Sequence, residues 1–575
     1  MYILCLAADY DGTLAQHGTV SAGTLSALRK LKAGGRRLVM VTGRELVALE
    51  HAFPELALFD RVVVENGAVV YDPASGRERV LAPMPPPHFV QRLIERRVEP
   101  ISVGRAIVAT WEPHQTAVLD CIRELGLELQ VVFNKGAVMV LPTGVNKASG
   151  LKAALAELDI SPRNVMGVGD AENDHAFLQM CGGSAAVANA LPAVMAAVDV
   201  RLSGDHGAGV EELVARIEQE DVRLILASRQ GLLLGFDRAG AAIHLPPARA
   251  VLIVGPSGCG KSRLAKLLTE RMVEKELEFC AFDPEGDYHG LDDAVSLSDD
   301  WSSPDAEEAL RLLRETDVNV VISTVTSSLS QRRQLLARLL PAIADLRRRT
   351  GRPHWLVVDE AHQLFPATEK LSIEAGNDLG AMILATINPA GLCAAVLRKV
   401  DILIAFDPDA SIRLAEFAKA VDAPCPDSFP TLENGEILYW EPGTSLPPRA
   451  LRIDAPRQCH RRHTGKYAVG DVGHWRSFYF RGPDKAYNLG AKNIFEFLEI
   501  ADHVDDATWE HHLRAKDYSA WFRNVIGDEE LANETAAVER NRHLASFQSR
   551  LIVRKAILRC YAAPGGDHAS ARVSR

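Results

Sequence analysis

Short apolar runs that stop abruptly at acids, hydroxyls or glycines recur along this chain. Ile3 to Ala8 leads into Asp9 and Asp11. The run from Arg37 to Val41 leads into Thr42, and that from Val165 to Gly169 leads into Asp170. Further on, Ala250 to Val254 meets Gly255, Trp355 to Val358 meets Asp359 and Glu360, and Met382 to Ala385 meets Thr386. Such runs predict buried strands. In an open α/β sheet, ligands bind beyond the carboxyl ends of those strands. Gly231 to Leu245 reads as a β-hairpin turning around Asp237–Gly240. Near the C-terminus Arg476 to Phe480 predicts a strand. Beyond it Ile494, Phe497, Leu498, Ala501 and Val504 recur at helical spacing. Trp509, His512, Leu513, Tyr518, Trp521 and Phe522 extend that stripe and read as core rather than as a base-stacking platform.

A chain of 575 residues exceeds what one core supports, so three or four domains are expected. The apolar share of 47% and charged share of 24% are those of a soluble globular protein. The net charge of −11 argues against whole-surface attraction to nucleic acid, though not against a local basic groove. Nine cysteines without paired spacing predict reduced thiols. The N-terminal run lacks a basic leader, and no apolar stretch reaches the ~20 residues that span a bilayer. These features predict a cytoplasmic protein that does not enter a membrane.

The N-terminal strand ends carry phosphate chemistry. In Asp9-Tyr10-Asp11-Gly12-Thr13 the first carboxylate can attack phosphorus to give an aspartyl-phosphate. The second can protonate the leaving oxygen and later activate water. Thr42 offers a hydroxyl to a phosphoryl oxygen, and Lys147 opens a helix with a cation for phosphate charge. Asp170 and Asp174, four apart, offer the hard oxygens that Mg²⁺ prefers. These segments, in this order over residues 1–217, resemble the haloacid dehalogenase-like phosphatases. Glu65-Asn66-Gly67-Ala68 resembles the Cof-type branch. The resemblance implies a Rossmann-like core with an α/β cap at about 80–145. It implies Asp9 as nucleophile, Asp11 as acid/base, and Thr42 and Lys147 as phosphate ligands. Mg²⁺ would then be held by Asp9, Asp170 and the backbone carbonyl of Asp11, with Asp174 in support. Within the cap, His88, Arg92, Arg96, Arg97 and Arg105 either face an anionic substrate or form a solvated helix face.

The segment 218–455 has a second phosphate signature. Gly255-Pro256-Ser257-Gly258-Cys259-Gly260-Lys261-Ser262 follows a predicted strand and opens a helix at Arg263–Glu274, the context a P-loop requires. Its N–H groups cradle phosphates. Lys261 reaches the β- and γ-oxygens of ATP, and Ser262 ligates Mg²⁺. Asp359 adds to the Mg²⁺ shell, and Glu360 polarises water, which favours hydrolysis over transfer to an alcohol. Thr386 and Asn388 sit where the γ-phosphate is sensed. Together with Asp283-Pro284-Glu285-Gly286-Asp287-Tyr288, these residues resemble the HerA/FtsK-type ATPases. That resemblance implies a RecA-like α/β domain and a homo-oligomer, commonly a hexameric ring. It departs from the usual Thr-Gln-Arg-Pro at Thr386-Ile387-Asn388-Pro389, and Arg398 is a candidate finger toward a neighbouring subunit. Arg332-Arg333 and Arg347 to Arg352 are basic clusters that either touch nucleic-acid phosphates or end helices.

Residues 456–575 predict a small, mostly helical domain with a disordered tail from Pro564. Cys459 and His460 with His463 are too few for a zinc site. Three readings remain open. The chain is a phosphomonoester phosphatase fused to an ATPase, a machine acting on DNA or RNA ends, or a phosphatase gated by nucleotide.

Overall fold

The structure is a computed structural model. It describes residues 1–288, 291, 293–297, 304–368, 380–407, 409–433, 435–454, 477–483, 487–526 and 528–561. Cys459, His460, His463 and the tail from Pro564 lie outside them.

Each predicted catalytic strand is buried on both faces, as a parallel sheet covered by helices requires. The first sheet has eight strands, with Cys5–Asp9 at its centre between Val165–Gly169 and Arg37–Val41. Side chains alternate across it. Cys5 and Ala7 enter one core with Leu151 and Phe177, while Leu6 and Ala8 enter the other with Leu28 and Leu213. Four antiparallel strands between Ser102 and Pro142, with helices Pro87–Glu95 and Gln115–Glu124, form a separate layer with its own core. This is the cap.

The second sheet has eleven strands. Ala250–Val254 pairs in parallel with Met382–Thr386 and Ile402–Phe406. Val251 and Ile253 face one core, Leu252 and Val254 the other. The strands Leu232–Asp237 and Ala242–Leu245 pair antiparallel and extend the same sheet through Arg449–Arg452. The helix Lys261–Glu274 begins two residues earlier than the sequence predicts, at the P-loop lysine itself.

The segments that precede the strands Val165–Gly169 and Trp355–Val358 meet each other. Ser161 N donates to the carbonyl of Thr350 at 2.9 Å. His354 Nδ1 accepts from Glu278 N at 2.8 Å, so its neutral ring donates from Nε2 to Ser161 Oγ at 2.9 Å. Arg352 is buried and pairs with Asp159. Gly351 (φ 84°) presses on Asn164, where a Cβ would come within 1.9 Å of the amide oxygen. Just beyond this joint start Val165–Gly169, which ends at Asp170, and Trp355–Val358, which ends at Asp359. The two candidate sites therefore lie at the far ends of strands that share one base.

The C-terminal region packs its helices on a two-stranded sheet, with Trp509, Tyr518 and Phe522 in the core. Trp509, Tyr518, Trp521 and Phe522 are packing groups there. The strand there is Phe478–Phe480.

Candidate active sites

The first site is built on three adjacent strand ends and one helix start. In-register pairing of Ala8 with Val168 and of Asp9 with Val41 sets Asp9, Asp170 and Thr42 side by side. Lys147 is the first residue of the helix Lys147–Leu158, whose start is fixed by a capping box between Asn146 and Ser149. Gly67 (φ 105°) passes so close that a Cβ would stand 1.9 Å from the Asn146 carbonyl oxygen. The turn Glu65–Gly67 thereby seats the helix that carries Lys147.

Lys147 Nζ bridges Asp9 Oδ1 at 2.5 Å and Asp174 Oδ1 at 2.6 Å, all three groups being buried. Burial works against its ammonium, but Asp174 and Asp9 outweigh it and hold its pKa above the usual lysine range. Asp174 Oδ2 also accepts from the N–H groups of Asp170 and Ala171. Its carboxylate thus orients both the lysine and the Asp170 turn. Oxygens of Asp9, Asp170 and Asp174 lie within 4.8 Å of one another. Lys135, from the cap, places its ammonium 2.6 Å from Asp170 Oδ2 and 3.3 Å from the Asp11 carbonyl oxygen. A cation therefore already satisfies part of this oxygen set, and hard oxygen donors of this kind fit Mg²⁺. Arg44 holds both carboxyl oxygens of Asp11 with two bonds of 2.7 Å, so one of these bonds must open before the acid/base candidate can reach a ligand.

At the second site, Gly258 (φ 88°) and Gly260 (φ 115°) bend the loop into the helix. Lys261 Nζ donates to the carbonyls of Gly255 and Pro256, both at 3.0 Å, within its own loop. Gly255 packs against Phe406 and Cys259. Cys259 is partly buried, and that burial pushes its thiol up, so it is not an activated thiol. Asp359 is buried, with one oxygen on Glu360 N and the other, Oδ2, without a hydrogen-bond partner among the described residues. Burial, then Asp287 and Glu360, push its carboxyl up to about 8. An orphaned, charge-crowded carboxylate oxygen fits a site for a cation. Glu360 (φ 45°) lies 3.3 Å from His362 Nδ1, which lies 3.3 Å from Thr386 Oγ1. Asn388 turns its side-chain oxygen to Ala390 N.

A haloacid dehalogenase-like hydrolase family profile matches residues 6–97 and 120–213. The chain is 31% identical over 220 residues to the phosphoglycolate phosphatase of Methanothermobacter thermautotrophicus, covering 37% of this chain and 97% of that protein. It is 32% identical over 225 residues to the phosphoglycolate phosphatase of Halorubrum lacusprofundi, covering 36% and 95%. The chain belongs to the haloacid dehalogenase-like hydrolases. A solved haloacid dehalogenase-like hydrolase from Bacteroides thetaiotaomicron matches at 18% identity and a TM-score of 0.33, over 37% of this chain and 98% of that one. An AAA ATPase domain profile matches residues 232–380, so the hydrolase core is followed by an AAA-type P-loop domain.

Relative to this family framework, some sequence candidates change place. Arg92, Arg96 and Arg105 form ion pairs with Glu95, Glu124 and Glu78. Lys135 is the cap cation whose bonds reach Asp170 and the Asp11 carbonyl, and nothing but its hairpin-tip position Asn134-Lys135-Gly136 marks it. Glu65 also ties cap to core, accepting from the N–H groups of Arg105, Ala106 and Ile107. Arg332 and Arg347 lie near the two ends of the helix Leu329–Thr350, and Arg352 follows it. Arg332 serves the Thr324 and Ser327 carbonyls and Gln363, Arg347 the Pro353, Gly380 and Ala381 carbonyls, and Arg352 the domain joint. Arg398 is exposed after the helix Ala394–Leu397. Arg413, distant in sequence, instead supplies a guanidinium to the Ile387 carbonyl beside the sensor segment.

Proposed function

We propose that this chain is a Mg²⁺-dependent phosphatase of small phosphorylated acids, phosphoglycolate first among them, joined to an ATP-hydrolysing domain. The observation that carries it is Asp9 set against buried Lys147, Thr42 and Asp170, in a region that spans nearly whole phosphoglycolate phosphatases. Asp9 attacks phosphorus, and the P–O bond to the leaving oxygen breaks as Asp11 supplies its proton. Water, deprotonated by Asp11, then cleaves the aspartyl-phosphate, restoring Asp9 and releasing phosphate. Lys147 and Thr42 hold the phosphoryl oxygens throughout. Asp9, Asp170 and the Asp11 carbonyl would hold Mg²⁺, which offsets repulsion between nucleophile and phosphate.

In the second domain Lys261, Ser262 and Asp359 would hold ATP and its Mg²⁺, and Glu360 would orient water. The DPEGDY and DEAH segments support a HerA/FtsK-like ATPase, assembled as a homo-oligomeric ring. Free thiols at Cys5, Cys181 and Cys280, and the lack of any described helix fit to cross a membrane, support a cytoplasmic site of action. The shared joint favours one further reading, in which the nucleotide state gates the phosphatase. The internal use of Arg332, Arg347 and Arg352 supports a small-molecule substrate over a nucleic-acid end.

The test is a phosphate-release screen of phosphoglycolate, sugar phosphates, nucleotides and phosphorylated DNA ends, with and without ATP. Phosphoglycolate should give the highest kcat/KM. A preference for DNA ends would overturn the substrate reading, and a kcat/KM indifferent to ATP would overturn gating.

A further inference from the structure

The cap reaches the catalytic oxygens through one side chain. The strands Leu129–Asn134 and Ala137–Pro142 pair in tight register and turn through Lys135 (φ 49°) and Gly136 (φ 87°), which leaves Lys135 at the tip. Its side chain is 47% exposed, whereas that of Asp170, which it bonds, is 2% exposed. A flexible lysine from one layer is thus drawn onto a buried carboxylate of another. Its two acceptors, Asp170 Oδ2 and the Asp11 carbonyl, are oxygens that a divalent cation would also need. An ammonium and a divalent cation cannot share them, because both the space and the like charges forbid it.

We propose that Lys135 is a cap-borne specificity residue. It closes the cap by taking the cation's place on Asp170 and the Asp11 carbonyl. When the divalent ion enters, the ammonium moves to a second anionic group on the substrate, away from the phosphate. The second step rests on the small-phosphorylated-acid reading above. Three features support the assignment. The phosphate end is already served by Lys147 and Thr42 from the core. The cap arginines Arg92, Arg96 and Arg105 are engaged with surface acids. Lys135 itself, on four rotatable bonds at an exposed hairpin tip, can swing from Asp170 to a second anionic group.

Two measurements on the full-length protein test this. The first is Mg²⁺ binding by calorimetry without substrate, for wild type, Lys135→Met and Lys135→Arg. Removing the internal competitor should tighten Mg²⁺ binding about tenfold in Lys135→Met, with Lys135→Arg near wild type. The second is the ratio of kcat/KM for phosphoglycolate to that for ethyl phosphate, which lacks the carboxylate. It should fall about tenfold or more in Lys135→Met, chiefly through KM, and recover in Lys135→Arg. Unchanged Mg²⁺ affinity in Lys135→Met overturns the competition. An unchanged ratio overturns the specificity role. If wild type does not turn over phosphoglycolate, the substrate reading and the specificity role fall together. The calorimetry needs no turnover and still decides whether lysine and cation compete.

Discussion

Two lysines stand in the two candidate phosphate pockets of this molecule, and they are held by opposite kinds of partner. Lys147 is locked between the buried carboxylates of Asp9 and Asp174. Lys261 rests on two neutral carbonyls of its own loop, while Asp359 keeps an oxygen without a hydrogen-bond partner among the described residues. The first pocket has its charges opposed before any ligand arrives, which is the preorganisation that favours a charged transition state. The second has donors on one side and crowded acids on the other, and nucleotide with its cation would complete it. A phosphatase must hold a nucleophile ready at all times. A nucleotide pocket can let the nucleotide finish its electrostatics, and can therefore report whether nucleotide is present.

The sharpest break of this contrast is a pair of isosteric substitutions. Asp9→Asn should lower phosphoglycolate turnover by about 10⁴-fold or more and leave ATP turnover intact. Glu360→Gln should lower ATP turnover by about 10²-fold or more and spare the phosphatase. Phosphate release from each substrate reads both. Loss of both activities in either variant would mean that the pockets are not independent.

Stability should separate the lysines next. Lys147→Met leaves two facing carboxylates buried without their cation, which costs about 3–5 kcal/mol. Lys261→Met removes two bonds to neutral carbonyls and costs about 1 kcal/mol. Thermal unfolding of both variants measures the difference. Mg²⁺ should recover part of the loss in Lys147→Met, since the ion supplies positive charge to the same acids. Equal losses in the two variants would erase the distinction between the pockets.

Much of this was legible in the sequence, and the pattern of what was not is physical. Asp9, Thr42, Asp170, Lys261 and Asp359 stand at the ends of apolar runs or open helices. One-dimensional order therefore places them on sheet edges that converge. Lys135, Arg44 and Arg413 carry no such mark. Lys135 sits at a hairpin tip whose direction depends on how the cap packs, and Arg413 arrives from a helix far along the chain. The basic clusters fall at the two ends of the helix Leu329–Thr350, but their partners could not be read from the sequence. Charge density along a sequence says nothing about which carbonyls a guanidinium meets, and Arg352, in the densest run, is buried at a domain joint. The joint itself had no signal, because His354 and Ser161 meet only through tertiary structure.

That joint gives the effect that bears most directly on whether the pockets communicate. Burial pushes the Glu278 carboxyl from a usual 4.5 up to about 7, although Arg352 pulls it back. A carboxyl raised on folding stabilises the protein fully below its unfolded pKa, and that contribution is lost as pH rises toward 7. His354 is the reverse. Burial, aided by Arg163, Arg347 and Arg352, lowers its pKa from 6.5 to about 3. Its neutral form is needed at the joint, so its contribution is present above 6.5 and lost as pH falls toward 3. Between these values each group changes stability by about 1.4 kcal/mol per pH unit, in opposite directions. The two slopes oppose each other between pH 4.5 and 6.5. Relative to wild type, Glu278→Gln should therefore lose stability on acidification through that window, and His354→Gln should gain it. Thermal melts across the window read both signs. Identical slopes in the two variants would mean that the joint does not close over these groups in solution. The Asp170 and Asp359 strands would then no longer share a fixed base, and gating would lose its structural path.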